Sequence, residues 1–178
     1  MADREIENDS QEVPEIPEIL EKVLLFSLEE AKEKMAQGAE VIPFTALVVK
    51  DNLFIESHPG ETAEECFNFA EHTVKGARGA DAYALCYDGY IDTDDGQKDA
   101  LIAEGGVPGE DEGFAVGFLY TIGDGEDAEP VFEDEPVFIG AAPNFMGALR
   151  DASEYADDEI EAKYLEDAPE DDPEPEAI

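Results

Sequence analysis

The residues best suited to metal chemistry are three aspartates in one short acidic segment. They are Asp92, Asp94 and Asp95, followed directly by Gly96. Closely spaced carboxylates attract hard cations such as Ca²⁺ and Mg²⁺. The EF-hand register fails, however, because placing Gly96 sixth in the loop puts isoleucine at the first and twelfth positions, where carboxylates are needed. Two interpretations remain, a weak Ca²⁺ or Mg²⁺ site and an ordinary polar turn of a β-hairpin.

Sulfur and imidazole ligands are few and widely spaced. The chain contains only His58, Cys66, His72 and Cys86, with gaps of 8, 6 and 14 residues between them. Structural zinc sites usually present paired ligands at much tighter spacing. If Cys66 and His72 share a helix, six residues turn it by about 600° and place them on different faces. We therefore predict buried thiols and surface imidazoles, with no catalytic and no cofactor-binding residue.

Two further groups of residues are candidates for contacts with a partner. Tyr87 and Asp88 lie within the apolar run Tyr83–Ile91 and would form a binding surface if one sheet face is open. Aromatic residues in a central strand also serve as packing, so that interpretation stays open beside the first. The second group is the acidic loop that contains Glu110, Asp111 and Glu112.

The net charge is extreme for a chain of this size. Forty-eight acidic residues oppose ten lysines and arginines, which gives −38, and residues 20–150 alone hold twenty-eight acids and eight bases. Such a field repels nucleic acid and anionic membranes, while it favours basic proteins, multivalent cations or high salt. We therefore expect a basic protein partner, with no direct contact to nucleic acid or membrane. Halophilic solvation and mimicry of a phosphate backbone are the alternatives.

The cellular location is predicted from the cysteines and the N-terminus. Two cysteines and no secretory leader favour a reducing cytoplasm. No stretch approaches the ~18 consecutive apolar residues of a membrane span. We therefore expect a cytoplasmic protein.

A predicted central hairpin organises the chain. In Tyr83–Ile91 bulky residues alternate with small ones, and the polar segment Asp92–Lys98 separates this run from a second apolar run, Ala100–Ala103. This is the pattern of two antiparallel strands joined by a glycine-assisted turn. The bulky and small faces suit a central strand with a helix packed on one side.

The remaining elements are predicted from caps, breakers and periodicity. Capping boxes at Ser27–Glu30 and Thr62–Glu65 indicate helices that end near Gln37 and Lys75. A hairpin turning at Asp51-Asn52 lies between them, and Gly105–Gly113 is predicted as a loop. Further expected elements are a strand at Phe114–Ile122, an edge strand at Val131–Ile139 and a weakly helical segment from Asn144 to about Leu165.

This order predicts an α+β fold. We expect an antiparallel sheet of five to six strands, in the order α-ββ-α-βββ(β)-α, with the helices mainly on one face. Residues 20–150 would form a single domain. Residues 1–19 are predicted to be a disordered acidic arm, and 151–178 an acidic tail that is partly helical and then disordered.

The chain resembles known proteins in two respects. The order of elements is similar to that of roadblock and longin-type domains, which implies an adaptor that dimerises through a sheet edge or a helix. The stretch Ala82–Tyr90, followed by Asp99–Ile102, resembles part of some uncharacterised small bacterial proteins. That likeness implies a bacterial origin.

The sequence thus favours a non-enzymatic interaction or adaptor domain that engages a basic partner, with a homodimer also expected. One alternative is a DNA mimic that inhibits a DNA-binding protein. Another is a divalent-metal-dependent enzyme, or a metal-binding protein, that uses the acidic loops. No cofactor is expected beyond weak Ca²⁺ or Mg²⁺ binding.

Overall fold

A computed structural model describes residues 15–123, 125 and 129–149 of the chain. Within them lie two helices and seven strands. They are α1 (Glu18–Ala36), β1 (Phe44–Val49), β2 (Asn52–Ser57), α2 (Ala63–Lys75), β3 (Ala82–Thr93), β4 (Gly96–Gly106), β5 (Glu112–Ile122), β6 (Pro130–Phe132) and β7 (Val137–Pro143). No helix among the described residues is long and apolar enough to cross a membrane.

The strands form one antiparallel sheet. Its order is β2-β1-β3-β4-β5-β6, and β7 pairs with β5 on the same side as β6. All six strand pairs are antiparallel. The predicted α+β class with a mostly hairpin-connected sheet is therefore confirmed. Of the disordered arm predicted at 1–19, residues 1–14 lie outside the described residues, and the prediction is wrong at Glu18 and Ile19, which begin α1. The tail predicted at 151–178 lies entirely outside the described residues.

The two helices pack on opposite faces of the sheet, so the expectation that both lie mainly on one face is wrong. One core cluster joins α1 to the small face of β3, which includes Ala84 and Cys86. The other joins α2 to the bulky face, which includes Leu85 and Tyr87. Because both faces of β3 are apolar, each must be covered by its own layer.

Helix α1 begins nine residues earlier than the predicted capping box at Ser27. Leu20, Val23 and Leu24 are fully buried and continue the apolar stripe into Leu28. Ser27 therefore lies inside the helix, where its hydroxyl donates to the carbonyl of Val23 at 2.8 Å. Periodic burial over nineteen residues outweighs a local capping signal.

Helix α2 follows the sequence prediction closely. The Thr62 hydroxyl accepts a hydrogen bond from the Glu65 amide at 3.1 Å, as a capping box requires. The Glu65 carboxylate returns to the amide of Glu61, at 2.9 Å, and not to that of Thr62. The predicted end at Lys75 is confirmed, and Gly76 is the C-cap.

The hairpin turns differ in detail from the prediction. The β1–β2 turn is formed by Lys50 and Asp51, with φ of +49° and +67°, and not by Asp51-Asn52. Both residues therefore adopt the left-handed conformation that a tight type I′ turn requires. In the central hairpin the strands continue through the polar segment to Thr93 and Gly96, which leaves a two-residue turn.

Three predicted boundaries near the end of the described chain were wrong. The predicted loop residues Gly105 and Gly106 belong to β4. The single edge strand at Val131–Ile139 is two strands, because Pro136 interrupts it. Residues 144–149 form turns and no helix, while the rest of the predicted last helix lies outside the described residues.

Candidate functional site

An acidic pocket lies beside β3, just beyond the point where β1 stops pairing with it. The β1–β3 ladder ends at Phe44 and Cys86, whereas β3 continues seven residues further to Thr93. The chain that precedes β1 lines this space, and so does the loop between β2 and α2. Proline at positions 43 and 59 gives both segments backbone positions that cannot donate to a sheet ladder.

The pocket has a volume of about 400 Å³ and three carboxylates in its lining. Glu40 precedes β1, Glu61 precedes α2, and Asp88 lies on β3. Glu40 and Glu61 are exposed, while Asp88 is partly buried. No lysine or arginine is found among the described residues that line it. The arrangement therefore offers negative charge to a ligand without an internal cation to neutralise it.

The Asp88 carboxylate is held by one strong hydrogen bond. The hydroxyl of Tyr120, on β5, donates to Asp88 Oδ1 at 2.6 Å. Burial raises the pKa of Asp88; the bond from Tyr120 opposes this, and the nearby Asp99 carboxylate adds to it. Burial, and then the hydrogen bond to Asp88, raise the pKa of Tyr120. Asp88 is thus the lining residue whose charged form burial destabilises, so a nearby bound cation would stabilise that form.

We expect the raised pKa of Asp88 to appear in the pH dependence of stability. The folded chain holds this proton more tightly than the unfolded chain, whose aspartates titrate near 3.8. Stability should therefore fall as the pH rises from the unfolded pKa through the folded one. Replacing Asp88 by Asn removes this loss and keeps an acceptor for Tyr120, so the variant should gain stability relative to wild type across that range.

Urea unfolding of both proteins between about pH 4 and pH 8 measures this difference. Asp92→Asn, which removes an exposed carboxylate of the same strand, is the control and should leave the profile unchanged. Parallel pH profiles for wild type and Asp88→Asn would contradict the assignment.

Tyr87 also lines the pocket, but its polar end points away from it. The side chain is 1 % exposed, and its ring meets Phe67 edge-on at 4.9 Å between centroids. Its hydroxyl donates to the fully buried Glu104 at 3.0 Å. Of the predicted pair, then, Asp88 is a charged residue in the lining of the pocket, whereas Tyr87 is a buried aromatic residue of that lining.

The three aspartates considered for a metal lie at the tip of the central hairpin. Asp92, Asp94 and Asp95 are all exposed. Within the turn, the Thr93 hydroxyl donates to the Gly96 carbonyl at 2.7 Å and accepts from the Asp95 amide. Among the described residues, no group of three or more His, Cys, Asp or Glu side chains is arranged to hold a metal ion. Weak Ca²⁺ or Mg²⁺ binding at this turn stays a prediction.

The second acidic candidate lies at the opposite end of the sheet. Glu110 and Asp111 lie in the connection from β4 to β5, Glu112 is the first residue of β5, and all three are exposed. The side chain of Asn144 fixes this connection by donating to the carbonyls of Val107 and Glu110, at 2.9 and 2.8 Å. The structure does not bring these carboxylates together with Asp88, so the two predicted interaction groups are separate surfaces.

The cysteines and histidines do not form a common site. Both thiols are free and buried. Cys86 donates to the Ser27 carbonyl, and burial raises its pKa. The prediction of surface imidazoles is wrong for His58, which is buried, with its Nε2 2.9 Å from the Thr45 hydroxyl. Its burial lowers its pKa, against the opposing effect of Glu56. His72 is exposed.

Sequence reasoning did not identify Glu40 and Glu61 as site residues. Each lies in an irregular segment among many other acids, and only the fold brings them near Asp88. The position of Asp88 did carry a signal, since a carboxylate inside an otherwise apolar strand requires an explanation.

Comparisons of the chain with family models, with curated proteins and with solved structures found no match. The resemblances noted in the sequence therefore stay untested. The fold and the pocket define an α+β protein with a seven-stranded antiparallel sheet and a carboxylate-lined cleft beside its central strand.

Proposed function

We propose that this chain is a non-enzymatic interaction domain that engages a basic protein partner through the acidic pocket. The proposal rests on the composition of the pocket lining. The described residues that line the pocket include Glu40, Glu61 and Asp88 and no lysine or arginine. A lysine or arginine side chain of the partner would supply the missing charge. Arginine would add hydrogen bonds in the planar geometry that carboxylates accept.

The mechanism has two stages. The net charge of −38 draws a basic protein from a distance and raises the encounter rate. The pocket then sets the register of the complex, because its walls are formed by Tyr87 and the proline-containing segments on either side of β3. A cation near Asp88 would also stabilise its charged form and so oppose the burial that raises its pKa.

An oligolysine peptide of about eight residues tests the proposal, because its charge engages several carboxylates at once. We expect salt-sensitive binding that weakens as ionic strength screens the charges. The triple variant Glu40→Gln, Glu61→Gln, Asp88→Asn should bind the peptide about tenfold more weakly at low salt, since each lost ionic contact contributes about 0.2–1 kcal/mol. Fluorescence anisotropy of the labelled peptide gives the dissociation constants.

The control variant removes the same number of charges elsewhere. Glu110→Gln, Asp111→Asn, Glu112→Gln has the same net charge as the pocket variant and leaves the pocket intact. It should weaken binding only two- to threefold, through the loss of long-range attraction. Equal losses of peptide affinity in the two variants would show that only the net charge matters and would contradict a role for the pocket. Binding that is indifferent to salt would contradict the electrostatic mechanism itself.

A further inference from the structure

The two edges of the sheet are built differently. On the far edge β6 is only three residues long and begins at Pro130, while β7 pairs with β5 through a β-bulge at Ala115/Val116 and ends at Pro143. Short strands, prolines and bulges are the usual means of preventing an edge from pairing with another chain. The far edge is therefore protected.

The opposite edge, β2, has none of these protections. Its six residues, Asn52–Ser57, pair with β1 in an unbroken register and include no proline, no lysine and a single charge, at Glu56. The two-residue turn directs the backbone of Asn52 toward β1, and backbone direction alternates along a strand. The amides and carbonyls of Leu53, Ile55 and Ser57 therefore face outward, where no described strand pairs with them.

Apolar groups flank this edge on both faces of the sheet. On one face a groove of about 590 Å³ separates β2 from α1, with Ile19 and Phe26 of α1 and Leu53 of β2 in its lining. On the other face Phe69 of α2 is 53 % exposed. It lies one turn from Thr73, whose hydroxyl donates to Glu56 of β2 at 3.1 Å.

The surroundings of this edge are less acidic than the chain as a whole. Five acids and three bases lie around it: Glu18, Asp51, Glu56, Glu71 and Asp81, whose carboxylate accepts from the Lys50 amide at 3.2 Å, with Lys22, Lys50 and Lys75. Two of the bases pair within their helices, Lys22 with Glu18 at 3.1 Å and Lys75 with Glu71 at 2.6 Å. A chain of net charge −38 repels its own copies least through such a surface.

We propose that β2 pairs antiparallel with β2 of a second copy, which joins two sheets across a twofold axis. A register centred on Phe54 places apolar Leu53 opposite Ile55 of the other copy. The same register places Asn52 opposite Glu56 of the other copy, so an amide faces a carboxylate and no like charges meet. This interface is separate from the acidic pocket and does not depend on the proposed function.

Dimerisation through β2 and binding of a basic peptide should respond to salt in opposite directions. Screening weakens the general repulsion between two acidic copies, so dimerisation should strengthen from about 0.1 M to about 1 M salt, where the Debye length falls from about 10 Å to about 3 Å. Binding of a basic peptide should weaken over the same range. Sedimentation equilibrium of the full chain measures the dimer fraction, and a monomer at all salt concentrations would overturn the proposal.

Cysteine cross-linking tests the register. In the double variant Asn52→Cys, Glu56→Cys the new thiols of two copies face each other as a non-hydrogen-bonded pair, with Cα atoms about 4.5 Å apart, within disulfide reach. Mild oxidation should give a covalent dimer. Each single variant should remain unlinked, because its two copies place the cysteines about four residues apart along the strands, roughly 13 Å. A dimer in which the double variant does not cross-link would overturn the proposed interface.

A charge substitution tests the same interface without a disulfide. Asn52→Glu places a carboxylate opposite Glu56 of the other copy at two equivalent positions, so the dimer should weaken about tenfold or more. Asn52 is exposed, and the substitution removes one exposed hydrogen bond, from its side-chain amide to the Lys50 carbonyl at 3.1 Å, so the monomer should lose little stability. Gln97→Glu, at the exposed tip of the central hairpin, adds the same charge away from β2 and should change dimerisation little. Equal weakening by the two variants would overturn the assignment to β2.

Discussion

Gly105→Ala should destabilise the folded chain by about 3 kcal/mol or more, although it adds a single methyl group. A β-carbon at Gly105 would overlap the carbonyl oxygen of Tyr83 on the neighbouring strand β3. It would also lie 3.0 Å from the Tyr83 carbonyl carbon and 3.1 Å from Ala84 Cα. All three are backbone atoms, so no side-chain rotation can relieve the contact. The strands must separate or twist, which disturbs the β3–β4 ladder at the centre of the sheet.

Gly76→Ala is the matched control for this substitution. Its β-carbon would meet the carbonyl oxygens of His72 at 3.5 Å and Thr73 at 3.7 Å, which are ordinary contacts. Its backbone has the right-handed helical conformation, so alanine should change the free energy of unfolding by less than about 0.5 kcal/mol. Urea unfolding of wild type and both variants measures the difference. Similar values for the two substitutions would show that the close approach of β3 and β4 is not rigid.

The same glycine shows why part of the fold was not predictable from the sequence. Two adjacent glycines usually indicate a loop, and Gly105-Gly106 was predicted as one. In the structure both lie in β4, because Tyr83 backbone passes close to Gly105 and the Asn144 side chain lies against Gly106. These contacts join segments that are far apart in the chain, so local composition carries no trace of them.

Local sequence signals predicted an element correctly where they agreed with the pattern of buried residues. Helix α2 has its cap at Thr62 and its end at Lys75, as predicted, because the capping residue precedes the apolar stripe. At Ser27 the capping pattern lay inside a longer apolar stripe, and tertiary packing decided the outcome. The opposite placement of the two helices was foreseeable from β3, whose faces are both apolar and therefore both need cover.

The candidate site was predictable only in part, for a related reason. Asp88 was distinguishable as the charged residue of an apolar strand, and the structure places it in the pocket wall. Glu40 and Glu61 were not distinguishable, because acids are so frequent in this chain that another one carries little information. Tyr87 was a candidate for partner contact, yet its hydroxyl is engaged within the core.

Because the Tyr87 hydroxyl is hydrogen-bonded within the core, its removal is the second change for which we expect a large loss of stability. Tyr87 and Glu104 lie on adjacent strands and face the same core cluster, where Glu104 is 0 % exposed. The hydroxyl donates to Glu104 Oε2 at 3.0 Å. A buried carboxyl group that loses a donor cannot replace it with bulk water, so the desolvation of that group is no longer compensated.

Tyr87→Phe should therefore destabilise the chain by about 1–3 kcal/mol, measured by urea unfolding. The ring, its edge contact with Phe67 and the wall of the acidic pocket are all retained, so binding of the oligolysine peptide should not change. Glu104→Gln keeps an oxygen acceptor for the hydroxyl and is the control for the hydrogen bond itself. A double-mutant cycle that combines Tyr87→Phe with Glu104→Gln measures the coupling free energy between the hydroxyl and the Glu104 side chain. A loss of peptide binding by stably folded Tyr87→Phe would instead assign the hydroxyl to the pocket and contradict its structural role.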